Sequence, residues 1–200
     1  MKIAGAKNYK KYAIKLLKIC NKKPISLEVF ADEENAILEQ ANIINSWGKN
    51  IYVKIPVMNT KGRFLGKVIE KLSSRGLKLN ITAVYDLKQV QKILKVLNKK
   101  SNAIISIFVG RMADAGKDPL PIIKKSVALT RKYKNIKILW ASTREPYNYI
   151  QSCDCMCDII TMPPSIISKI SKFGKSLQNL TISTVKGFYD DAKKAKFKIK

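Results

Sequence analysis

The sequence predicts an α/β protein built around a mostly parallel sheet. Short β-like runs alternate with helix-like stretches along nearly the whole chain, and strands joined through helical crossovers must run parallel. Hydrophobic residues make up 46% of the 200 residues, enough to bury a sizeable core. Nearly every strand also carries a polar residue among its aliphatics. A sheet covered on both faces would read as continuous apolar runs instead.

Taken in order, residues 26–30 form the first expected strand, and a helical pattern follows over 33–47. Residues 50–56 form the second strand, followed by a helix over 64–74 that Gly76 ends. A third strand, 79–84, precedes a helix over 87–98. The fourth, 104–109, leads into a loop holding Gly110, Gly116 and Pro119, then a helix over 122–133. Strands at 138–142 and 158–161, with a short helix over 146–152 between them, bring the count to six. No G-x-G-x-x-G or P-loop follows any strand, which weakens the nucleotide-binding, doubly wound form of a parallel sheet. The expectation is a (β/α)8 TIM barrel to which this chain contributes six strands. Residues 1–175 are expected to form the incomplete α/β barrel. Residues 176–200 are expected to form a C-terminal helix and basic tail available for an oligomer contact.

Composition narrows the function classes. No apolar run reaches the ~20 residues needed to span a bilayer, and Met1-Lys2-Ile3-Ala4-Gly5 lacks the apolar core of a signal peptide. A soluble, cytoplasmic protein without a membrane partner is expected. Of the four cysteines, Cys153, Cys155 and Cys157 form a C-x-C-x-C run, but the chain has no histidine. The run also lacks the paired spacing of zinc sites. It reads as reduced, inert thiols with no metal.

A formal net charge of +25 makes nucleic acid or an anionic surface a class to weigh. Most lysines are nevertheless spread through helix-like stretches, as at Lys10, Lys11, Lys15 and Lys18. Only residues 193–200 form a dense basic block. No zinc-finger, RNP or KH pattern interleaves aromatics with the charge, so nucleic acid is not an expected partner.

The polar strand residues fall in phase. In Ile51-Tyr52-Val53-Lys54-Ile55 the side chains alternate between faces. Ile51, Val53 and Ile55 suit packing on helices, while Tyr52 and Lys54 share the other face. Ser26 and Glu28 oppose Leu27 and Val29. Asn80 and Thr82 oppose Leu79, Ile81 and Ala83, and Ser106 opposes Ile105 and Ile107. Ser142 is expected to share its face with Trp140 and Arg144. If the sheet closes, that polar side is the barrel interior. A strand lysine can guard an edge or snorkel to solvent. Held in a partly dry site, it loses its proton more easily and becomes an amine nucleophile whose natural chemistry is imine formation with a carbonyl. Arg111 and Arg144 each follow the C-terminal end of a strand, where barrel active sites form. Arginine there suits a phosphate gripped by two parallel hydrogen bonds, although an ordinary loop arginine has the same signature.

Ser26-Leu27-Glu28-Val29, Val53-Lys54-Ile55-Pro56, Asn80-Ile81-Thr82-Ala83, Ser106-Ile107-Phe108-Val109-Gly110-Arg111 and Ala141-Ser142-Thr143-Arg144 together resemble the transaldolase family in order and spacing. The resemblance covers almost the whole chain. It implies an α/β barrel of the class I aldolase type in the pentose phosphate pathway. Such an enzyme moves a dihydroxyacetone unit from sedoheptulose 7-phosphate to glyceraldehyde 3-phosphate, yielding erythrose 4-phosphate and fructose 6-phosphate. By resemblance, Lys54 forms the Schiff base, and Glu28 and Thr82 handle proton transfer through a bound water. Asn80 and Ser106 hold substrate hydroxyls, and Arg111, Ser142 and Arg144 bind phosphate. No cofactor is implied, the partners are sugar phosphates, and a homo-oligomer is expected for the full barrel. The related fructose 6-phosphate aldolases typically carry Gln in place of Glu28 and Tyr in place of Phe108.

The departure lies at the front. Family members begin with a strand bearing a catalytic aspartate and a second strand of Thr-Thr-Asn-Pro type, and neither is present here. The expectation is a barrel lacking its first two strands. Rival readings are a fructose 6-phosphate aldolase-like lyase, an inactive truncated subunit assembling with intact copies, and a basic anion- or nucleic-acid-binding module.

Overall fold

Each parallel strand needs a crossover to reach the next, and the chain supplies one at every step. The computed structural model describes residues 7–196. In chain order the elements are α1 (Tyr9–Cys20), β1 (Ile25–Glu28), α2 (Glu34–Asn45), β2 (Ile51–Pro56), α3 (Gly66–Ser74), β3 (Leu79–Val84), α4 (Leu87–Val96), β4 (Ala103–Ile107), α5 (Val109–Asp114), α6 (Leu120–Thr130), β5 (Ile136–Trp140), α7 (Asn148–Asp154), β6 (Ile159–Ile160), α8 (Pro164–Ile170) and α9 (Leu177–Ala195). The six strands lie side by side in sequence order, β1 to β6, and every neighbouring pair is parallel.

Unbroken sequence order separates this sheet from the doubly wound alternative, in which the strand order reverses. Crossovers of one hand then stack the helices on a single face. The main core forms there. It holds Ile51, Val53 and Ile55 of β2, Leu79 and Ile81 of β3, Ile105 and Ile107 of β4, and the helix residues Ile37, Ile69, Leu72 and Ile93. Fully burying one such side chain is worth about 1.5–3 kcal/mol. The other face carries only a small apolar group, Ile104, Leu139 and Ala141, with Tyr52, Phe108 and Ile159 packed on it. That face is concave. Strands two apart lie about 9–10 Å from one another in a flat sheet. Here the Asn80 amide on β3 reaches over β2 to donate to Ser26 Oγ on β1 at 2.9 Å. The architecture is therefore the α/β barrel type, present as six strands.

Local chemistry sets the element ends. Asp86 caps α4 and exchanges hydrogen bonds with Gln89 in a capping box. Gly76, at φ 80°, turns the chain out of α3 into β3. Where helix was expected from residue 64, Phe64 instead bridges back to Met58, and α3 begins at Gly66. The loop expected after β4 contains the helix α5, with Arg111 on it.

One facing assignment needs correction. Trp140 does not share a face with Ser142. It is fully buried in the helix-side core, while Leu139 and Ala141 face the concave side. Alternation does hold through β5, but Ser142 has a φ of 66° and leaves the extended conformation. Ala83, at φ 59°, makes a similar break beside an irregularity in the β3–β4 register.

The chain divides into two compact units, with the boundary at Met162/Pro163. The helix α8 thus groups with α9, ahead of the 175/176 boundary expected from sequence. Ser176 caps α9, which has no buried residue and exposes Leu177, Leu180, Ile182, Val185, Phe188 and Tyr189. The second half of the basic block expected at 193–200 lies outside the described residues, which end at Lys196.

At the β1 edge, the Tyr9 hydroxyl donates to Glu28 O at 3.0 Å and accepts from Glu28 N at 2.8 Å. A side chain thereby supplies what a neighbouring strand would. Tyr9 also packs its ring against Phe30 and Trp47. Tyr9→Phe, which keeps the ring and removes both bonds, is expected to lower the unfolding free energy by about 1 kcal/mol in urea titration. No loss would show that water replaces the hydroxyl without cost.

Candidate active site

Strand register places the polar residues in rows. Lys54 pairs laterally with Glu28 on one side and with Asn80 on the other. Lys54 Nζ lies 3.9 Å from Glu28 Oε2, and both side chains remain partly open, at 29% and 49% exposure. Side chains at odd positions of β2 are sealed against helices, so Lys54, at an even position, can only point to the concave side. It lines a cavity of about 320 Å³ with Ser26, Asn80, Thr82, Ser106 and Ser142, while Phe108, Leu139 and Ala141 supply apolar wall.

The floor of this cavity is a hydrogen-bonded chain. Ser106 Oγ donates to Asn80 Oδ1 at 2.7 Å, and Asn80 Nδ2 donates to Ser26 Oγ. Asn80 and Ser106 are almost fully buried, so these bonds satisfy groups that would otherwise be costly. Thr82 is the exception. Its Oγ1 is buried and has no hydrogen-bond partner among the described residues. A buried hydroxyl left open on a cavity wall is available to a water or a ligand.

Arg111 and Arg144 do not line the cavity. Arg111 is exposed on α5, its guanidinium 5.1 Å from the centroid of the Phe108 ring, which forms part of the wall. Arg144 Nε donates to both carboxylate oxygens of Asp114 at 3.0 and 2.9 Å, and its Nη2 adds a further bond. This hydrogen bonding, with the charge of Arg144 behind it, holds the Asp114 carboxyl below the usual carboxylate range and raises Arg144 further. Gly110 brings the two arginine-bearing segments together. A Cβ at position 110 would lie 1.7 Å from Ser142 O and 3.0 Å from Arg144 Cγ, so only glycine permits this approach.

Of the residues singled out from sequence, Lys54, Glu28, Thr82, Asn80, Ser106 and Ser142 thus meet in or beside one cavity, with Arg111 and Arg144 outside its lining. Thr161, directly after β6, also lines it and was not singled out. A polar residue at a strand's C-terminal end was the available signal, as for the arginines. Thr143 donates to Thr161 O, fixing that end of the sheet.

Among the described residues no group of three or more His, Cys, Asp and Glu is placed to hold a metal. Burial pushes the Cys157 thiol up to about 11 and raises Cys155 as well.

A sequential parallel sheet of barrel type, with a strand-borne lysine facing a polar cavity on its concave side, defines a barrel-type α/β protein with a candidate amine nucleophile in its cavity. The chain belongs to the transaldolase/fructose-6-phosphate aldolase family, whose model it matches over residues 7–199. It is similar to a probable transaldolase of Thermoplasma volcanium, 32% identical over 88% of this chain and 76% of that protein. Similar relatives also described as probable transaldolases come from Herpetosiphon aurantiacus and Caldicellulosiruptor saccharolyticus. The first is 29% identical over 84% of this chain and 72% of its own length. The second is 34% identical over 74% and 66%. A solved structure described as native KDPGal aligns over 77% of this chain and 86% of its own, at 14% identity and a TM-score of 0.27, a likeness too slight to bear on the fold.

Thr82→Val should leave the unfolding free energy within about 0.5 kcal/mol of wild type, because it breaks no hydrogen bond. Ser106→Ala, which strands the buried Asn80 carbonyl, should cost about 1–3 kcal/mol. Denaturant titration of the two variants checks the contrast. Equal losses would mean that Thr82 is a packed structural group.

Proposed function

We propose that this protein is a transaldolase that moves a dihydroxyacetone unit between sugar phosphates through a Schiff base on Lys54. The observation that supports it most is the lateral row Glu28–Lys54–Asn80, which sets an amine on the concave face between a carboxylate and an amide. Membership of the family and three relatives described as probable transaldolases point the same way.

The chemistry follows from the groups present. The Lys54 amine adds to the ketose carbonyl, and the carbinolamine loses water to give an iminium ion. The C–C bond beyond the neighbouring hydroxyl-bearing carbon then breaks. Its electron pair flows into the iminium to give an enamine, while the departing carbon becomes an aldehyde as its hydroxyl gives up a proton. Glu28 is suited to carry that proton through a water, and the unpartnered Thr82 hydroxyl is suited to hold the water. The enamine adds to the acceptor aldehyde, and hydrolysis frees the lysine. Asn80 has a second amide hydrogen and Ser106 has free lone pairs for substrate hydroxyls. Ser142, Arg111 and Arg144 are assigned to phosphate. For Arg144 this means sharing its guanidinium between the phosphate and Asp114, which leaves its charge in place and its fork only partly free. Glu28 and Phe108 favour transfer over simple cleavage, since the related aldolases carry Gln and Tyr there.

Incubating the chain with fructose 6-phosphate, reducing with borohydride and mapping peptides by mass spectrometry tests the reading. A sugar-derived adduct on Lys54, abolished in Lys54→Met, is expected. With erythrose 4-phosphate added, sedoheptulose 7-phosphate should form faster than free dihydroxyacetone. Faster release of dihydroxyacetone would assign a lyase instead. No adduct in a folded protein, even with the chain extended upstream, would overturn the Lys54 assignment.

A further inference from the structure

In a parallel sheet, all loops that enter strands lie at one end and all loops that leave them lie at the other. The candidate active site is at the leaving end. The entering end consists of residues 21–24, 46–50, 75–78, 97–102, 131–135 and 155–158, and its charge is one-sided. The first three loops carry Lys22, Lys23, Lys49, Arg75 and Lys78. The next two carry Lys99, Lys100, Arg131, Lys132 and Lys134. No carboxylate occurs in any of these five, and only Asp158 stands in the sixth. All ten cations are exposed or half-exposed. The leaving end is mixed, with Lys61, Arg63, Arg111, Lys117 and Arg144 set against Asp32, Glu33, Asp86, Asp114, Asp118 and Glu145. Among the loops, the positive excess therefore lies at the end that the proposed chemistry does not use.

The basic face is also held together. Asn50 Nδ2 donates to the carbonyls of Asn21 and Lys23, tying the first loop to the second. Lys78 Nζ donates to Lys49 O, tying the second to the third. Asn98 N donates to Ser73 Oγ at the end of α3, joining the fourth to the third. Asn135 Nδ2 donates to Lys99 O, and Lys137 pairs with Asp158 at 2.9 Å, completing the series. Two hollows open in this face. One, about 320 Å³, is lined by Lys49 and Lys78 with Asn45 and Ser46. The other, about 290 Å³, is lined by Arg131, Lys134 and Lys137 with Tyr133, and by Asp158, whose carboxylate pairs with Lys137. Five loops at about 4.8 Å strand spacing make a basic row roughly 19 Å across, long enough for several consecutive phosphates.

We infer that this face binds the phosphate backbone of a nucleic acid, without reading bases. Cations spaced along a row, with asparagine and serine donors between them, suit successive phosphates and sugars. A membrane surface fits less well, because the aromatics here, Trp47 and Tyr133, are half-buried rather than projecting as anchors.

The test uses the full chain and a fluorescent 24-nucleotide oligouridylate, with binding followed by anisotropy. Affinity should fall about 100-fold between 50 and 200 mM salt, as about five phosphate contacts require. The face variant Lys49→Glu/Lys100→Glu/Arg131→Glu/Lys134→Glu should bind at least tenfold more weakly than Lys10→Glu/Lys67→Glu/Lys88→Glu/Lys125→Glu. That control changes exposed helix lysines by the same charge. Circular dichroism establishes that both sets fold, and if the first does not, the pair Lys49→Gln/Lys134→Gln replaces it against Lys10→Gln/Lys125→Gln. Equal weakening by face and helix sets would overturn the site in favour of diffuse charge. Tighter binding to phosphatidylserine vesicles than to RNA, lost in the face variant, would assign the face to membranes.

Discussion

Three polar side chains on three strands govern the concave side of this sheet. Ser106 on β4 donates to Asn80 on β3, which donates in turn to Ser26 on β1. The chain passes beneath Lys54 on β2 and is nearly sealed from solvent at Asn80 and Ser106. Buried donors and acceptors are expensive to leave unmade, so the network holds the strands at the curvature that lets it close. It also sets fixed hydrogen-bonded dipoles on the cavity wall that Lys54 shares. Lys54 consequently has a floor beneath it, Glu28 beside it and an unsatisfied Thr82 hydroxyl on the same wall. The helix-side core supplies the cohesion. The polar chain gives the concave side a defined shape.

The two ends of the strands have separate characters. Loops leaving the strands carry both signs of charge and include the Asp114–Arg144 and Asp32–Thr60 contacts. Loops entering them carry almost only positive charge. The same topology produces both results, since βα and αβ loops sort to opposite ends whatever their sequence. A site that must discriminate among sugar phosphates needs placed groups of both kinds. A face that holds a polymer backbone needs only a row of cations on a stiff frame.

Much of this was legible in the sequence. Alternation in β2 put Lys54 on the open face because its neighbours Ile51, Val53 and Ile55 are so clearly core. The in-phase polar residues of β1, β3 and β4 followed by the same reasoning. It failed where the backbone leaves the extended state. Positive φ at Ser142 ends the alternation after β5, so Trp140 sits in the helix-side core although Ser142 lines the cavity. Period-two patterning has no term for such a residue. Arg144 looked like a free phosphate ligand because its partner, Asp114, lies thirty residues earlier in the chain. The concentration of charge at one end was equally hidden, since the lysines look evenly spread until the loops are sorted by topology.

The most direct test of this account is the rate of imine formation in Ser26→Ala, which cuts the buried chain at a residue given no substrate contact, read as the borohydride-trapped fructose 6-phosphate adduct on Lys54. If the buried chain positions the lysine, trapping should slow at least tenfold while circular dichroism reports an intact fold. A folded Ser26→Ala protein that traps the sugar at the wild-type rate would contradict the claim that the polar floor arranges the site.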